Sequence, residues 1–333
     1  MKPAAWAALA VVALAGGGVH AQDVKERTLT FAHQNSREHP QGLGVAKFAE
    51  LVAQKSGGKM KVEQLAGGVK GDDLATVSAV QAGSLDMVVL NTGLLASVAK
   101  EAALVDLPFL FDTAAEADAV MDGPFGRMLN GRIGERNLVG LAYWDLGFRD
   151  ITNSKRPINR MEDIAGLKLR VLQSPAVIDS FTALGAIPTP VPFPEVYQSL
   201  EKKRVDGQEN PVTVIADSRF DKVQKYLALT NHVYNPQSVL ISRRTWDGMS
   251  AAERKIVQEA AAEATAYQRK VSRERASAAL TELRKSGMTV TELPPGEIAR
   301  MREKLKPVVE KYSKQAGEAA AKELAAEIAK ARK

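Results

Sequence analysis

Arg170 closes the strand-like run Gly166-Leu167-Lys168-Leu169-Arg170-Val171, and Asn210, forty positions on, lies in the polar segment Val205-Asp206-Gly207-Gln208-Glu209-Asn210-Pro211. An arginine that ends a strand-like run, with a polar loop to come, reads as a guanidinium held in a cleft for an anion. Its planar fork of five donors matches a carboxylate bidentately and stays charged at any relevant pH. The same residue could instead be held in an ion pair with an aspartate or glutamate, and the residue types alone leave both readings open.

Other chemistry is poorly supported. The chain has no G-x-S-x-G elbow, no H-E-x-x-H and no G-x-x-x-x-G-K-[ST] phosphate loop. Gly42-Leu43-Gly44 imitates the start of a dinucleotide fingerprint, but Lys47 stands at the third glycine position. His33 and His39 flank one strand-to-helix turn, with Glu38 as the only close third ligand for a metal; polar loop residues near a cleft are the plainer reading. Asp72-Asp73 could do acid–base work, yet acids at a helix start more often cap it and complement its dipole. No cofactor is expected.

The positioning elements come from the rest of the sequence. Lys2, the apolar run from Ala4 to Ala15 and Val19-His20-Ala21 read as a signal peptide over residues 1–21, with the mature chain starting near Gln22. The run is short for a retained anchor. There are no cysteines, hence no disulfides, thiolate ligands or lipid-bearing cysteine. Such a chain suits the bacterial periplasm. The roughly 310 remaining residues exceed one compact core, so two domains are expected. The net charge of +6 lies largely after residue 251, mixed with glutamates, and reads as a solvated helical face. Aromatics make up only 5% of residues, which disfavours a base-stacking surface and nucleic acid as a partner.

Strand-like and helix-like segments alternate, the pattern of an α/β protein. Strands are expected at 29–34, 60–65, 85–90, 138–144, 148–153, 167–172 and 289–293, and helices at 41–55, 72–82, 176–184 and 195–203. The stretch 114–135 reads as helical but broken near Gly123-Pro124. Pro188, Pro190, Pro192 and Pro194 make a stiff extended link that is neither central strand nor helix interior. Ser250-Ala251-Ala252-Glu253 is a capping box opening a helix of roughly 35 residues, about 50 Å long, enough to span two domains. A helical region follows Pro295-Gly296, with residues 326–333 expected to fray. Residues 81–86 and 203–207 echo each other, each entering a strand shortly before an asparagine (Asn91, Asn210), as two equivalent halves or chance would produce.

Several segments together resemble one family. They are Gly147-Phe148-Arg149-Asp150-Ile151-Thr152-Asn153, Gly166 to Val171, Pro190-Val191-Pro192-Phe193-Pro194-Glu195-Val196-Tyr197, Val205 to Pro211, and Tyr226-Leu227-Ala228-Leu229-Thr230-Asn231-His232. Their order and spacing resemble the periplasmic solute-binding proteins of tripartite ATP-independent periplasmic (TRAP) transporters, across essentially the whole mature chain. The resemblance implies a two-domain flytrap fold with crossing strands and a long helix bracing both domains. The expected division is 22–147 plus about 235–274 against 148–234 plus about 275–325.

It also implies a function: capture of a small organic acid and its delivery to a sodium-driven permease of small and large subunits, by a protein that is not an enzyme and works as a monomer. Arg170 falls on the family's main carboxylate-binding arginine, Arg149 on a second, and Asn210 on the asparagine that joins the clamp. Phe193 matches an aromatic that packs on the ligand. Gln34, Asp73 and Asn91 fall where the family varies its contacts. Each has a plainer alternative: a supporting arginine for Arg149, a turn residue for Asn210, core packing for Phe193, structural polarity for the other three. Asn91 is neutral where some relatives carry an acid. Presentation of the ligand to a sensor, or a periplasmic enzyme acting on an acid, are the rival functions.

Overall fold

The computed structural model describes residues 24–333; the leader expected over residues 1–21 lies outside the described residues. The first unit runs β1 (Arg27–Ala32), α1 (Pro40–Lys55), β2 (Met60–Leu65), α2 (Asp73–Ala82) and β3 (Met87–Asn91). Helices α3 (Ala114–Met121) and α4 (Pro124–Gly134) lead into the long strand β4 (Leu138–Asn153). The second unit repeats the pattern with β5 (Lys168–Val171), α5 (Pro175–Ala183), β6 (Ile187–Pro190), α6 (Val196–Glu201) and β7 (Gly207–Pro211). Then come α7 (Val212–Asp217), the long strand β8 (Tyr226–Ser242), α8 (Arg243–Asp247), α9 (Ala251–Lys285), β9 (Thr289–Glu292), α10 (Pro295–Ala316) and α11 (Glu318–Ala331).

All strands join one mixed sheet in the order β2-β1-β3-β8-β4-β7-β5-β6, with β9 on the free flank of β8. β2, β1 and β3 are parallel, as are β6, β5 and β7. β3 meets the second half of β8 antiparallel, and β7 meets the second half of β4 in the same way. The echo seen in the sequence thus corresponds to two topologically equivalent halves, with Asn91 and Asn210 near the carboxyl ends of equivalent strands. β4 and β8 pair with each other along their length and pass from one half to the other.

β4 was expected as two strands. It is continuous, because the irregularity at Asp145–Phe148 shifts the register without breaking the ladder. Gly147 there has φ 108°, a conformation costly for residues with a Cβ. Helix α9 secures this crossing: Gln268 donates to the Asp145 carbonyl at 2.7 Å and accepts from the Asp145 N–H at 2.8 Å. Gly44 lets α1 approach α9, since a Cβ there would lie 2.7 Å from Gln268 and 2.9 Å from Trp144.

The capping box at Ser250 and Glu253 forms as expected, and α9 runs 35 residues. Val257, Ala260, Ala261 and Ala264 pack it against the first half, and Leu283 joins the core of the second. Apolar spacing places Val45, Phe48, Leu51 and Val52 of α1 in the same core as Phe31 and Trp144.

Three other expectations are corrected. Residues 205–211 are not a polar loop: Gly207–Pro211 is a fully buried central strand, made tolerable because its polar side chains find partners. The helix expected at 195–203 is α6 at Val196–Glu201, preceded by a 3-10 turn at Phe193–Glu195, whereas the proline-dense link is extended and not a central strand, as expected, and supplies β6 at the sheet edge, where a missing N–H costs no ladder bond. The C-terminal residues do not fray at 326: α11 continues to Ala331, with Leu324 and Ile328 buried and Arg332 bonded to Glu116 and Asp112. α11 packs on α3, α4 and α10, and α10 packs on α5.

Candidate functional site

The parallel strands of both halves aim their carboxyl ends at one cleft, where open α/β sheets bind ligands. A cavity there is lined by Gln34, Asp73, Asn91, Arg149, Phe193 and Asn210, six of the seven residues expected from sequence. It holds about 30 Å³, roughly one water's share of liquid volume. Any organic acid would therefore require the walls to separate. They are held together at the rim by Ser36, whose Oγ donates to Asp217 Oδ1 at 2.7 Å across the cleft.

Arg170 is not on the lining. It sits on β5, 1% exposed, with Nε donating to the Val191 carbonyl at 2.9 Å. Its Nη1 has no hydrogen-bond partner, and it makes no ion pair among the described residues. Burial pulls its pKa down to about 10, against the upward pull of Glu209 and Asp73, so it stays charged at neutral pH.

Arg149 is in a different situation. It forms a buried fork with Glu209: Nε meets Oε2, Nη2 reaches Oε1 at 2.9 Å, and Nη2 also donates to the Glu209 carbonyl at 2.6 Å. Nη1 donates to Asn235 Oδ1 at 2.9 Å and Nη2 to Asn210 Oδ1 at 3.2 Å. Burial would raise the pKa of Glu209, but Arg149 and His232 hold it at about 2. His232 itself is kept neutral by burial despite Glu209. Arg149 and Glu209 therefore form an internally neutral unit, and the plainer reading of Arg149 as a supporting arginine describes its bonds.

Asn210 passes the network on. Its Nδ2 donates to Gln208 Oε1 at 2.5 Å, Gln208 Nε2 to Thr152 Oγ1 at 2.9 Å, and Thr152 Oγ1 to Gln224 Oε1 at 2.9 Å. This explains how β7 buries three consecutive polar residues.

The opposite wall is less satisfied. Gln34 Nε2 donates to the Gly71 carbonyl at 3.0 Å, leaving Oε1 without a partner. Asn91 Oδ1 accepts from the Gly93 N–H at 3.0 Å, leaving Nδ2 without one. Asp72 caps α2 through the Ala75 N–H at 2.8 Å, as expected of acids at a helix start, but Asp73 turns to the cavity. Burial pushes the Asp73 carboxyl up to about 7, with Arg170 pulling it down and Asp72 up. Nearby, buried Asp106 is pushed up to about 6, with Ser174 and Asn91 restraining it. His33 and His39 are held neutral, at about 4 and about 3, mainly by burial. His33 Nε2 lies 2.9 Å from Gln64 Nε2, and His39 Nδ1 accepts the Gln41 N–H at the start of α1.

Sequence reading missed Glu209, Asn35, Gln41, Asn235 and Gln237. The last two alternate on one face of β8, so a period-two polar pattern inside a strand was the available signal. Glu209 carries no such signal, since its partner lies sixty residues away. Asn35 Nδ2 donates to Gln41 Oε1 at 2.7 Å, Gln41 Nε2 to Gln237 Oε1 at 2.9 Å, and Gln237 Nε2 to Asn235 Oδ1 at 3.3 Å. This relay ties the first wall to Arg149.

Known proteins resemble this chain in sequence and in fold. In sequence the chain is 34% identical over 264 residues to the 2,3-diketo-L-gulonate-binding periplasmic protein YiaO of Escherichia coli (strain K12), spanning 79% of this chain and 80% of that one. In structure it is similar to the sugar acid binding protein DctPAm of Advenella mimigardefordensis in complex with galactonate, with TM-score 0.91, 39% identity, and 93% and 100% of the two chains covered. A TRAP periplasmic solute binding protein of Ochrobactrum anthropi, its C-terminus bound in the ligand-binding pocket, gives TM-score 0.84 and 50% identity over 93% and 97%. Residues 31–315 match one family model, and the chain belongs to that family: bacterial extracellular solute-binding protein, family 7.

Proposed function

We propose that this chain captures a small organic acid between its two halves and delivers it to a sodium-driven TRAP permease of small and large subunits. The observation that carries the reading is Arg170: a buried guanidinium with an unpartnered Nη1 beside a cleft. A buried charge without a partner is costly, and a ligand carboxylate would remove that cost through charge-assisted bonds about twice as strong as neutral ones. In this reading the carboxylate docks on Arg170 as the walls part and re-close. Arg149 and Asn210 shape the seat, Phe193 packs on the ligand's carbon frame, and Gln34, Asp73 and Asn91 meet its far end. The bound ligand favours closure by contacting both walls.

The protein works as a monomer in the periplasm, exported by the leader at residues 1–21. Its moving bodies are residues 22–147 plus about 235–274 and residues 148–234 plus about 275–325. No helix among the described residues is long and apolar enough to cross a membrane, which fits a binding component that meets its permease from outside. A thermal-shift screen of sugar acids, hydroxy acids, keto acids and dicarboxylates identifies the ligand, because binding raises apparent stability by mass action. Calorimetry on Arg170→Ala then tests the seat: affinity falls at least a hundredfold, and Arg170→Lys does not restore it because a point charge cannot replace the fork. Unchanged affinity in Arg170→Ala would remove the carboxylate assignment.

A further inference from the structure

A second cavity lies behind the crossing strands. Side chains of β4, β7 and β8 alternate between two faces. Arg149, Asn210 and Asn235 line the ligand cavity, whereas Phe148, Asp150, Pro211 and Tyr234 line the second one, with α9 as its other wall. Leu146 lines both. The second cavity holds about 440 Å³ against about 30 Å³ in the cleft, a volume within the range of small-molecule sites. Its surface is mainly apolar. The rings of Phe148 and Tyr234 meet edge-on, 5.1 Å between centroids, and Leu229, Ala276 and Leu280 complete the hollow.

The polar groups in it are acidic and incompletely matched. Asp145, 2% exposed, receives Arg273 Nε on Oδ2 at 2.8 Å and keeps Oδ1 without a hydrogen-bond partner. Burial raises its pKa, restrained by Arg273 and Tyr234. Asp150, further along the same strand, accepts the Asn231 N–H on Oδ1 at 3.0 Å and makes no ion pair among the described residues. Burial pushes its carboxyl up to about 7, as happens to an acid with no cation beside it. The nearby arginines are already engaged. Arg273 also binds Asp118 at 2.6 Å, and Arg269 binds Asp118 at 3.2 Å and Asp122 at 2.6 Å. Arg149, on the cleft face, is matched by Glu209. Arg269 and Arg273 therefore serve Asp118, Asp122 and Asp145, and Asp150 is left over.

This excess of negative charge around an aromatic hollow repels an anion. A neutral occupant would leave the charge unmet. A primary ammonium brings three donors and no acceptor, and aromatic faces attract it. The cavity also has a mechanical place. It and the cleft lie on opposite faces of the strands that pass between the halves, so parting the cleft walls brings the far faces together and narrows it. An occupant that fits the wide form binds the closed protein better and favours it by that difference.

We propose that this cavity is a second binding site, for a hydrophobic primary amine whose ammonium sits on Asp145 Oδ1 and whose carbon frame lies against Phe148, Tyr234 and Leu280, and that its occupant holds the cleft closed. Asp150 adds its charge from further along β4. The site stands independently of the carboxylate seat; only the coupling rests on the proposed opening of the cleft.

The test is calorimetry on the full mature chain with 2-phenylethylamine and its neutral counterpart 2-phenylethanol. The amine is expected to bind at least tenfold more tightly than the alcohol. Asp145→Asn keeps an oxygen for Arg273, which also retains Asp118, and turns an amide N–H into the seat; amine affinity should fall at least tenfold and alcohol affinity less than twofold. Ala276→Trp, one turn after Arg273 on the half-buried face of α9, fills the hollow and should abolish both. Arg170→Ala should leave amine affinity within twofold, whereas loss of the amine there would place it in the cleft and overturn the site. An alcohol that binds as tightly as the amine, or amine affinity unmoved by Asp145→Asn, also overturns it, and the second result decides even where Ala276→Trp does not fold. Small-angle X-ray scattering without any acid reads the coupling: the amine should contract wild type. No contraction by bound amine, where a carboxylate ligand does contract the protein, overturns the coupling alone. No contraction by either removes the opening of the cleft and the coupling with it, and leaves the amine site standing.

Discussion

The two walls of the cleft are built from topologically equivalent strands and yet are finished differently. On the β7 side, Arg149, Glu209, Asn210 and Gln208 consume one another's hydrogen-bonding capacity, and the chain ends in bonds to Thr152 and Gln224. On the β1 and β3 side, Gln34, Asn35 and Asn91 each keep one buried polar atom without a partner. The β7 network is satisfied without a ligand and holds its shape, while Arg170 Nη1 on neighbouring β5 stays unpartnered. The β1 and β3 wall has deferred its bonds, and a ligand can supply them. Sequence drift on the completed wall would damage the fold, whereas on the deferred wall it would change what is bound.

The largest consequence of this contrast is in stability. Glu209→Ala leaves Arg149 charged, buried and without its counter-ion, which typically costs about 3–5 kcal/mol. Urea unfolding without ligand should show that loss. Asn91→Ala on the other wall removes only the Gly93 bond and the restraint on Asp106, and should cost about 1–2 kcal/mol. Arg170→Ala should be neutral or stabilising, since it deletes a buried charge that no carboxylate pairs. Equal losses at Glu209 and Arg170 would erase the distinction between a finished anchor and a waiting one.

A smaller effect separates the walls by pH. The carboxyl of Glu209, depressed to about 2, contributes stability that is present above its unfolded value and lost only as pH falls from about 4.5. Asp73, raised to about 7, has the opposite sign: the folded state binds its proton more readily, so its ionisation erodes stability as pH rises from about 4 to 7. Buried His33 and His39, depressed to about 4 and about 3, erode stability as pH falls below about 6.5 and partly mask that trend. A difference measurement cancels them. The melting temperature of Asp73→Asn minus that of wild type should climb between pH 4 and 7 and level off above. A flat difference would show that Asp73 ionises in the cleft as readily as in the unfolded chain, and a difference that keeps climbing above pH 7 would show that it stays protonated there.

Legibility from sequence follows the same division. α1, α2 and α9 were readable because their apolar spacing, the caps at Asp72 and Ser250, and the stops at Gly57 and Gly83 are local signals. β7 was not, since a run of Gln208, Glu209 and Asn210 looks solvated until Arg149, Thr152 and Gln224 are brought to it by the sheet. Resemblance named seven residues, of which six line one cavity while Arg170 lies on β5 off that lining. That Arg149 is neutralised while Arg170 is not depends on Glu209, sixty positions from its partner, and no spacing rule carries that information. Asn35 and Gln237 are each ordinary amides in sequence; their role exists only in the chain of bonds that joins them.

The smallest expected effect concerns the rim where the walls meet. Ser36 Oγ donates to Asp217 Oδ1 at 2.7 Å, and Ser36 also accepts the His39 N–H at 3.1 Å. Asp217→Ala removes the bond across the cleft and leaves the one to His39. Asp217 ends α7, where a negative charge opposes the helix dipole, and Glu38 beside it raises its pKa in addition to burial. Its removal should therefore not destabilise the fold. A bond to a half-exposed carboxylate contributes about 1 kcal/mol, and this one exists only when the walls are together. Its loss should weaken ligand affinity about fivefold, through faster dissociation, because the encounter takes place with the rim apart. Stopped-flow measurement separates the two rates. A slower association with unchanged dissociation would mean that Asp217 guides the ligand in, and that closure is held by the cleft contacts alone.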